Sequence, residues 1–389
     1  MDKKPEIVIV SSVFSHHQKP LSDALFDMLQ GRFAFVETIG LTQELRTLGY
    51  NEARPPYLVR PYVGQTKEAE RLICEADAVV FGGPQEKMIL PRMLVNKLVF
   101  RCSERPLKHG MEPLKYFPRL VKWHRQNPQG KRVYLLCASA FAAGDYAKFG
   151  LFRNRSFKWG YFTPFKEYES PELLLKKKDP KKILWVGRFL DLKHADDALR
   201  AAKILKDCGM AFTLDLIGTG VMERQLRRLA ESLELGGRVR FLGPMSPESV
   251  REHMEQAAIL LVCSDKQEGW GAVVNEGMNS ACAVICGHAV GSAPFLLENE
   301  QNGLIYPSCD VAALADRMSD LLSDRSKQAA LGAEAYRTIS EEWNPRLAAE
   351  RLVELTENIL SGGDGLGLFK SGPCSPADTI RDDWFPGKL

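Results

Sequence analysis

The segment QEGWGAVVNEG, residues 267–277, places carboxylates at Glu268 and Glu276, eight positions apart, with Gly269, Trp270 and Gly271 directly after the first. It follows the apolar run AILLVCSD and leads into AVVNEGMNSA. Glu268 is therefore expected in a strand-to-helix loop, and Glu276 about one turn into the helix. A carboxylate accepts two hydrogen bonds side by side, which matches a vicinal diol. Gly269 and Gly271 leave backbone N–H groups open at a helix N-terminus, where a phosphate is favoured. The spacing suits a ligand in which a diphosphate joins a ribose to a second sugar ring, one carboxylate for each ring. The plainer reading is two solvated glutamates that stand at this spacing by chance.

Other loops at the same strand ends add to this set. In VGRFLDLKH, Arg188 and Lys193 lie five positions apart after a strand ending at Gly187. A bidentate guanidinium and a point-charge ammonium together suit a diphosphate, although two surface cations at a helix start read equally well. In LIGTGVMERQL, Gly218 and Gly220 flank a turn into a helix, either to let a ligand approach the backbone or to make an ordinary tight turn. In FLGPMSPESV, Gly243 and Pro244 close a strand, and Ser246 or Pro247 begins a helix. That loop has only backbone to offer the edge of a nucleobase.

The elements that must position these residues alternate along the chain. EIVIVSSVF, RFAFVETI, DAVVFGG and RVYLLCAS read as strands, YLVR as a shorter one. The segments from about Lys19, KEAERLICEA, LKYFPRLVKWHRQN (with Pro118 inside) and AFAAGDYAKFG read as helices. After a charged segment, EYESPELLLKKKDPKK, taken as a linker, six more strands follow: KILWVGRF, FTLDLIG, RVRFLG, AILLVCSD, AVICG and GLIYP. Amphipathic helices separate most of them. This pattern predicts an α/β fold with two doubly wound, Rossmann-like domains. The expected division is a first domain at 1–168, a second at 181–345, and a C-terminal helix and tail at 346–389; donor and acceptor roles for the two domains follow only from the resemblance given below. The tail from Ser361 is rich in glycine and proline, but Leu366, Phe369, Trp384 and Phe385 are apolar anchors expected to pack it back on the body.

With 389 residues, 45% hydrophobic and a formal net charge of +3, the chain has the composition of an ordinary globular protein and not of a nucleic-acid binder. Its positive charge is concentrated at 91–126, where Arg92, Lys97, Arg101, Arg105, Lys108, Lys115, Arg119, Lys122 and Arg125 face only Glu104 and Glu112. Phe100, Tyr116, Phe117 and Trp123 are interleaved with them. That stretch is either a solvated basic face or a patch for an anionic surface such as a membrane leaflet. The nine cysteines are scattered and form no C-x-x-C, which suggests a reducing compartment. The N-terminus lacks the apolar core of a signal peptide, and no run approaches the roughly 20 residues of a membrane span. The expected location is the cytoplasm, with the inner membrane face as a further expectation.

VGRFLDLK, LDLIGTG, RVRFLG, EGWGAVVNEGM and GSAPFLLENEQNGLIY occur in this order between about Lys181 and Pro307. As a set they resemble the family 4 retaining glycosyltransferases of the GT-B fold, in which two Rossmann-like domains face a cleft. FSHHQKPLSDALF and LLCASAFAAGDYAKFG look like a bacterial subgroup tied to surface polysaccharide, such as capsule, assembly. The resemblance implies that Arg188 and Lys193 neutralise the donor diphosphate and that Glu268 hydrogen-bonds the donor sugar. It implies that Glu276 holds the ribose, while Gly269 and Gly271 cradle the phosphates and sugar. It implies transfer with retention of anomeric configuration, from a nucleotide sugar to a saccharide or lipid-linked acceptor. No D-x-D triplet occurs, which fits a site that needs no metal and no cofactor beyond the donor itself. In GSAPFLL the family more often has a second glycine and a glutamate, so Ser292 is a weaker phosphate contact. On the acceptor side His16 and His17 are the first candidates, with Arg101, Ser103 and Glu104 behind them; His109 has no assigned role. A sugar-nucleotide epimerase of the same fold and a non-catalytic nucleotide-sugar binder are the alternatives.

Overall fold

The computed structural model describes residues 4–42 and 54–386, so the first three residues and the last three of the tail lie outside the described part. The backbone divides into two compact units, residues 1–164 with 343–381 and residues 165–342 with 382–389.

The first unit is built on seven parallel strands: β1 (Ile7–Ser11), β2 (Phe33–Glu37), β3 (Leu58–Val59), β4 (Ala78–Phe81), β5 (Leu98–Ser103), β6 (Val133–Cys137) and β7 (Ser156–Lys158). Their order is β3-β2-β1-β4-β5-β6-β7. β1 pairs with both β2 and β4, so the winding reverses between β1 and β4. The strands are almost continuously apolar and buried, as expected where helices cover both faces of a parallel sheet. The C-terminal helix Pro345–Leu360 returns to this unit and packs on helix Lys19–Met28. The tail then lies along β7: Lys158 N–H donates to the Ser375 carbonyl (2.8 Å), Cys374 N–H to the Lys158 carbonyl (2.8 Å) and Ala377 N–H to the Ser156 carbonyl (2.9 Å). An exposed sheet edge is thereby covered.

The second unit contains β8 (Asp179–Val186), β9 (Thr213–Ile217), β10 (Val239–Gly243), β11 (Ala257–Val262), β12 (Ala283–Gly287) and β13 (Leu304–Tyr306). All are parallel, in the order β10-β9-β8-β11-β12-β13, with the reversal between β8 and β11. Ser246, Asp310 and Asp324 each accept a backbone N–H at the start of the helix they cap.

The segment expected as a linker is structured. Ser170 caps helix Pro171–Lys177, its hydroxyl accepting the Leu173 N–H, and β8 already begins at Asp179. The unit boundary falls earlier, at Pro164/Phe165. The charged residues misled because two of the lysines are buried. Lys178 Nζ donates to the Met254 and Ala257 carbonyls (2.8 Å each), and burial holds its ammonium below the usual lysine range. Lys182 is likewise buried, 3.6 Å from the Asp215 carboxylate.

The basic stretch 91–126 also divides. Arg92 is fully buried and donates to the carbonyls of Ile73, Ala76, Asp77 and Leu98, and its desolvation lowers the guanidinium to about 10. Arg101 is buried beside Glu86 (3.0 Å), and Arg105 beside Asp145 (3.4 Å). What remains outward lies on and beside helix Pro113–Gln126, which has no buried residue and exposes Leu114, Phe117, Val121, Lys115, Lys122 and Arg125.

Arg92 thus acts as a buried staple for four backbone carbonyls. Arg92→Met should lower the stability of the protein by about 3 kcal/mol or more in urea denaturation, since buried acceptors then lose their donor. Lys97→Met, which removes a half-buried lysine bonded to the Cys74 and Glu75 carbonyls, should lower it by about 1 kcal/mol or less.

Candidate functional site

In doubly wound sheets, ligands bind beyond the carboxyl ends of the strands where the winding reverses. In the second unit that point lies between β8 and β11, and the loops leaving both strands carry the residues singled out above. Lys193, on the loop after β8, makes an ion pair with the Glu268 carboxylate on the loop after β11, both largely buried. Ser264 Oγ donates to the same Glu268 oxygen at 3.1 Å. Asp265 holds the loop in shape: its Oδ1 accepts the Gln267 N–H at 2.8 Å, and its own N–H donates to the Leu192 carbonyl at 3.0 Å. The β8 and β11 loops are therefore joined by backbone as well as by charge.

Gly271 is the N-cap of helix Ala272–Asn279, at φ 86°, with no side chain capping the first turn. A Cβ there would stand 2.8 Å from Val290 Cγ1, with Glu268 Cγ at 3.5 Å and Ser292 Oγ at 3.8 Å. Only glycine fits that conformation and that space. Ser292 is fully buried, and its hydroxyl has no hydrogen-bond partner. An open helix N-terminus, an unpaired hydroxyl and a lysine thus adjoin one another, a combination suited to an anion. Gly269 is buried in the same loop, and Glu276 is half-buried in the second turn of the helix. Trp270 is buried and donates from Nε1 to Asn275 Oδ1 at 2.8 Å, which fixes the loop against the helix.

Arg188 is exposed directly after Gly187 at the end of β8. Gly218 and Gly220 lie beside this loop. A Cβ on Gly218, at φ 139°, would fall 1.9 Å from the Gly187 carbonyl oxygen, and one on Gly220 2.5 Å from that of Phe189. The side chains missing at these two glycines admit the neighbouring loop, whose Phe189 N–H donates to the Thr219 carbonyl at 2.9 Å.

In the first unit a cavity of about 350 Å³ opens at the strand ends around its own reversal point, lined in part by Ser11, His17, Ser22, Ser103, Glu104 and Tyr161. Glu37 organises the loop beside it: its carboxylate accepts the Phe14 N–H (2.8 Å), Arg60 Nε (2.6 Å) and the Tyr62 hydroxyl (2.8 Å). Glu104 accepts the Tyr161 hydroxyl at 2.6 Å. His16 is half-buried with its ring 4.0 Å from that of His17, but only His17 lines the cavity. Arg101 does not line it; its guanidinium is bound to Glu86 and to the Gln126 carbonyl.

Ser264, Asp265, Glu37 and Tyr161 were not singled out from the sequence. Asp265 left a trace, because D-x-Q after a strand is the pattern of a side chain bonding the N–H two residues on. Glu37 left none: an acid at the end of an apolar strand is silent until its partners converge.

Residues 167–338 match the family model described as glycosyl transferases group 1. The match covers a little under half of the chain. AmsK of Erwinia amylovora, an amylovoran biosynthesis glycosyltransferase, is 27% identical over 185 residues, 46% of this chain and 45% of that protein. The D-inositol 3-phosphate glycosyltransferase of Mycolicibacterium smegmatis is 31% identical over 166 residues, 42% and 38% respectively. The chain spans about half the length of the curated relatives it matches. Among solved structures, Anabaena HepE in complex with UDP superposes with a TM-score of 0.68 at 14% identity, covering 91% of this chain and all of that one. WaaG, a glycosyltransferase involved in lipopolysaccharide biosynthesis, gives 0.60 at 16% identity over 92% of this chain and 100% of its own. These likenesses establish the α/β class with two Rossmann-like units as the GT-B fold. The whole β8–β13 sheet, with both glutamates and both cations of the candidate site, lies inside the matched segment.

Gly218→Ala should lower stability by at least about 2 kcal/mol in urea denaturation, because backbone must move to admit the methyl group. Gly236→Ala, with open space around the position, is the matched control and should change it by about 0.5 kcal/mol or less.

Proposed function

We propose that this protein transfers a sugar, with retention of anomeric configuration, from a nucleotide-sugar donor to a saccharide or lipid-linked acceptor. The observation that carries this reading is the convergence of Lys193, Glu268, the open helix end at Gly271 and the unpaired Ser292 hydroxyl at the reversal point of the sheet in the matched segment. The names of relatives in polysaccharide and glycolipid synthesis, and the UDP-bound solved neighbour, support the same class.

In this reading Arg188 and Lys193 offset charge on the departing diphosphate, while the helix end and Ser292 receive its oxygens. Glu268, already bonded to Lys193 and Ser264, orients the donor sugar, and Glu276 holds the ribose diol. Gly269 and Gly271 let the ligand reach the backbone. Arg188, Lys193 and the helix end supply charge stabilisation at the diphosphate, and this reading calls for no metal ion. The first unit receives the acceptor at the cavity holding His17, Ser103 and Glu104, with His16 behind it. Helix Pro113–Gln126 carries the protein to an anionic membrane surface, its exposed Leu114 and Phe117 entering the interface and its cations meeting lipid headgroups. No described helix is long and apolar enough to cross a membrane.

Glu268→Ala should reduce transfer at least 100-fold, assayed with a panel of nucleotide sugars and a glycolipid extract, while the far-ultraviolet circular dichroism stays unchanged. Full activity in that variant refutes the assignment. Epimer formation from donor alone, followed by NMR, identifies an epimerase instead. Reversing Lys122 and Arg125 to glutamate should weaken sedimentation with anionic vesicles by at least about 30-fold, at about 1 kcal/mol per cation, and neutral vesicles should bind neither form.

A further inference from the structure

The aromatic residues near the end of the tail have a use that the transfer reading does not absorb. Residues 374–377 lie along β7 of the first unit, whereas from Asp382 onward the chain belongs to the second. There its last described residues close on His288, the first residue after β12. Trp384 Nε1 donates to the His288 carbonyl at 3.0 Å. The Phe385 ring lies 6.4 Å from the imidazole, centroid to centroid, and meets the Trp384 ring edge to face at 5.7 Å. Burial lowers the imidazole below its usual range, and a hydrogen bond to the Asp382 backbone opposes that shift. Ser308 N–H donates to His288 Nδ1 at 2.9 Å, so the ring is neutral and carries its proton on Nε2.

His288 begins the loop 288–292, which leads into helix Ala293–Leu296. The far end of this loop is part of the candidate donor site. Val290 is the residue that a Cβ on Gly271 would strike, and Ser292 Oγ lies 3.8 Å from the same Cβ position. Ser292 N–H donates to the Trp270 carbonyl at 2.9 Å, while its buried hydroxyl is left for a ligand. The near end is tied to β13, His288 N–H donating to the Tyr306 carbonyl (2.9 Å) and Ala289 N–H to the Ser308 hydroxyl (3.1 Å). Trp384 and Phe385 add a second attachment at the same residue. They lie well beyond the segment 167–338 that matches the glycosyltransferase model.

We propose that Trp384, backed by Phe385, is a positioning residue for the donor diphosphate: it clasps His288 and so holds loop 288–292 with Val290 and Ser292 closed on the helix end at Gly271. The inference rests on the donor reading above and adds the end of the tail to it. Its physical basis is population. A ligand whose binding-competent state is only partly occupied binds more weakly by that fraction. Without the clasp, the His288 carbonyl and one side of its ring turn to water, and the loop keeps only its ties to β13 and to Trp270. States in which Ser292 leaves Gly271 then cost less. Trp384 touches no ligand in this account and acts through the loop alone.

Two measurements on the full-length protein test this. Hydrogen–deuterium exchange, read by mass spectrometry over residues 288–296, follows the loop with no ligand present. Trp384→Ala should speed exchange there about 10-fold or more and leave β8 and β11 unchanged. Trp384→Phe, which keeps a ring but loses the donor, should fall between it and the wild type. Inorganic pyrophosphate, titrated by calorimetry, probes the anion site without a base or a sugar. Its affinity should fall about 5-fold or more in Trp384→Ala, with circular dichroism unchanged. Ser292→Ala, at the site itself, should also weaken it. Phe369→Ala, in the part of the tail that packs under Arg351 in the first unit, should move neither readout. Unchanged exchange over 288–296 in Trp384→Ala overturns the proposal. So does unchanged pyrophosphate affinity in Trp384→Ala where Ser292→Ala weakens it, and the donor reading then stands. Wild-type protein that binds no pyrophosphate removes the donor reading and the positioning role together, and exchange still reports whether the clasp holds the loop.

Discussion

The pairing of Lys193 with Glu268 is the contact around which the candidate site of the second unit is organised. It bridges the two strands between which the winding of the sheet reverses, so each partner comes from a different arm of the fold. Both side chains are largely removed from water, and a buried charge without its counterpart is costly. The consequence is a fixed separation between the β8 and β11 loops, reinforced by the hydrogen bond from Asp265 N–H to the Leu192 carbonyl. Gly271, Ser292 and Trp270 follow from that frame. The Glu268 carboxylate is taken up by Lys193 and Ser264 and does not cap the helix end, and the loop keeps its course because Trp270 is locked to Asn275.

Much of this was legible in the residues. Parallel strands buried on both faces write themselves as apolar runs, and the loops after AILLVCSD and ILWVG were placed correctly at the strand ends. The misreadings share one cause, charge that is buried. Lys178 and Lys182 made the start of β8 look like solvent-facing chain, and Arg92, Arg101 and Arg105 made the stretch 91–126 look uniformly basic. A sequence shows that a cation is present, not that four carbonyls or a carboxylate await it. The signal for helix Pro171–Lys177 was there in S-P-E, a capping serine followed by proline, but three successive lysines outweighed it.

The glycines show a different limit. Gly271 was read as a position where backbone must come close to a ligand, and Gly218 and Gly220 either as that or as an ordinary tight turn. All three positions are crowded, but what approaches Gly218 and Gly220 is the Gly187–Phe189 loop, while Gly271 is hemmed in by the side chains of Val290, Glu268 and Ser292. Spacing identifies crowding without identifying the neighbour, which only tertiary structure supplies.

The hydrogen bonds that lay residues 374–377 along β7 carry a consequence for how the chain is made. A ribosome delivers the N-terminus first, and domains generally fold as they emerge. Here the β7 edge of the first sheet is covered only when residues 374–377 arrive, and they and helix Pro345–Leu360 belong to the first unit. The second unit, nearly continuous in the chain, has all its strands before that moment. The first unit, begun earliest, therefore waits for a segment made after the strands of the second, and until then its β7 border is open to whatever other strand the cell presents.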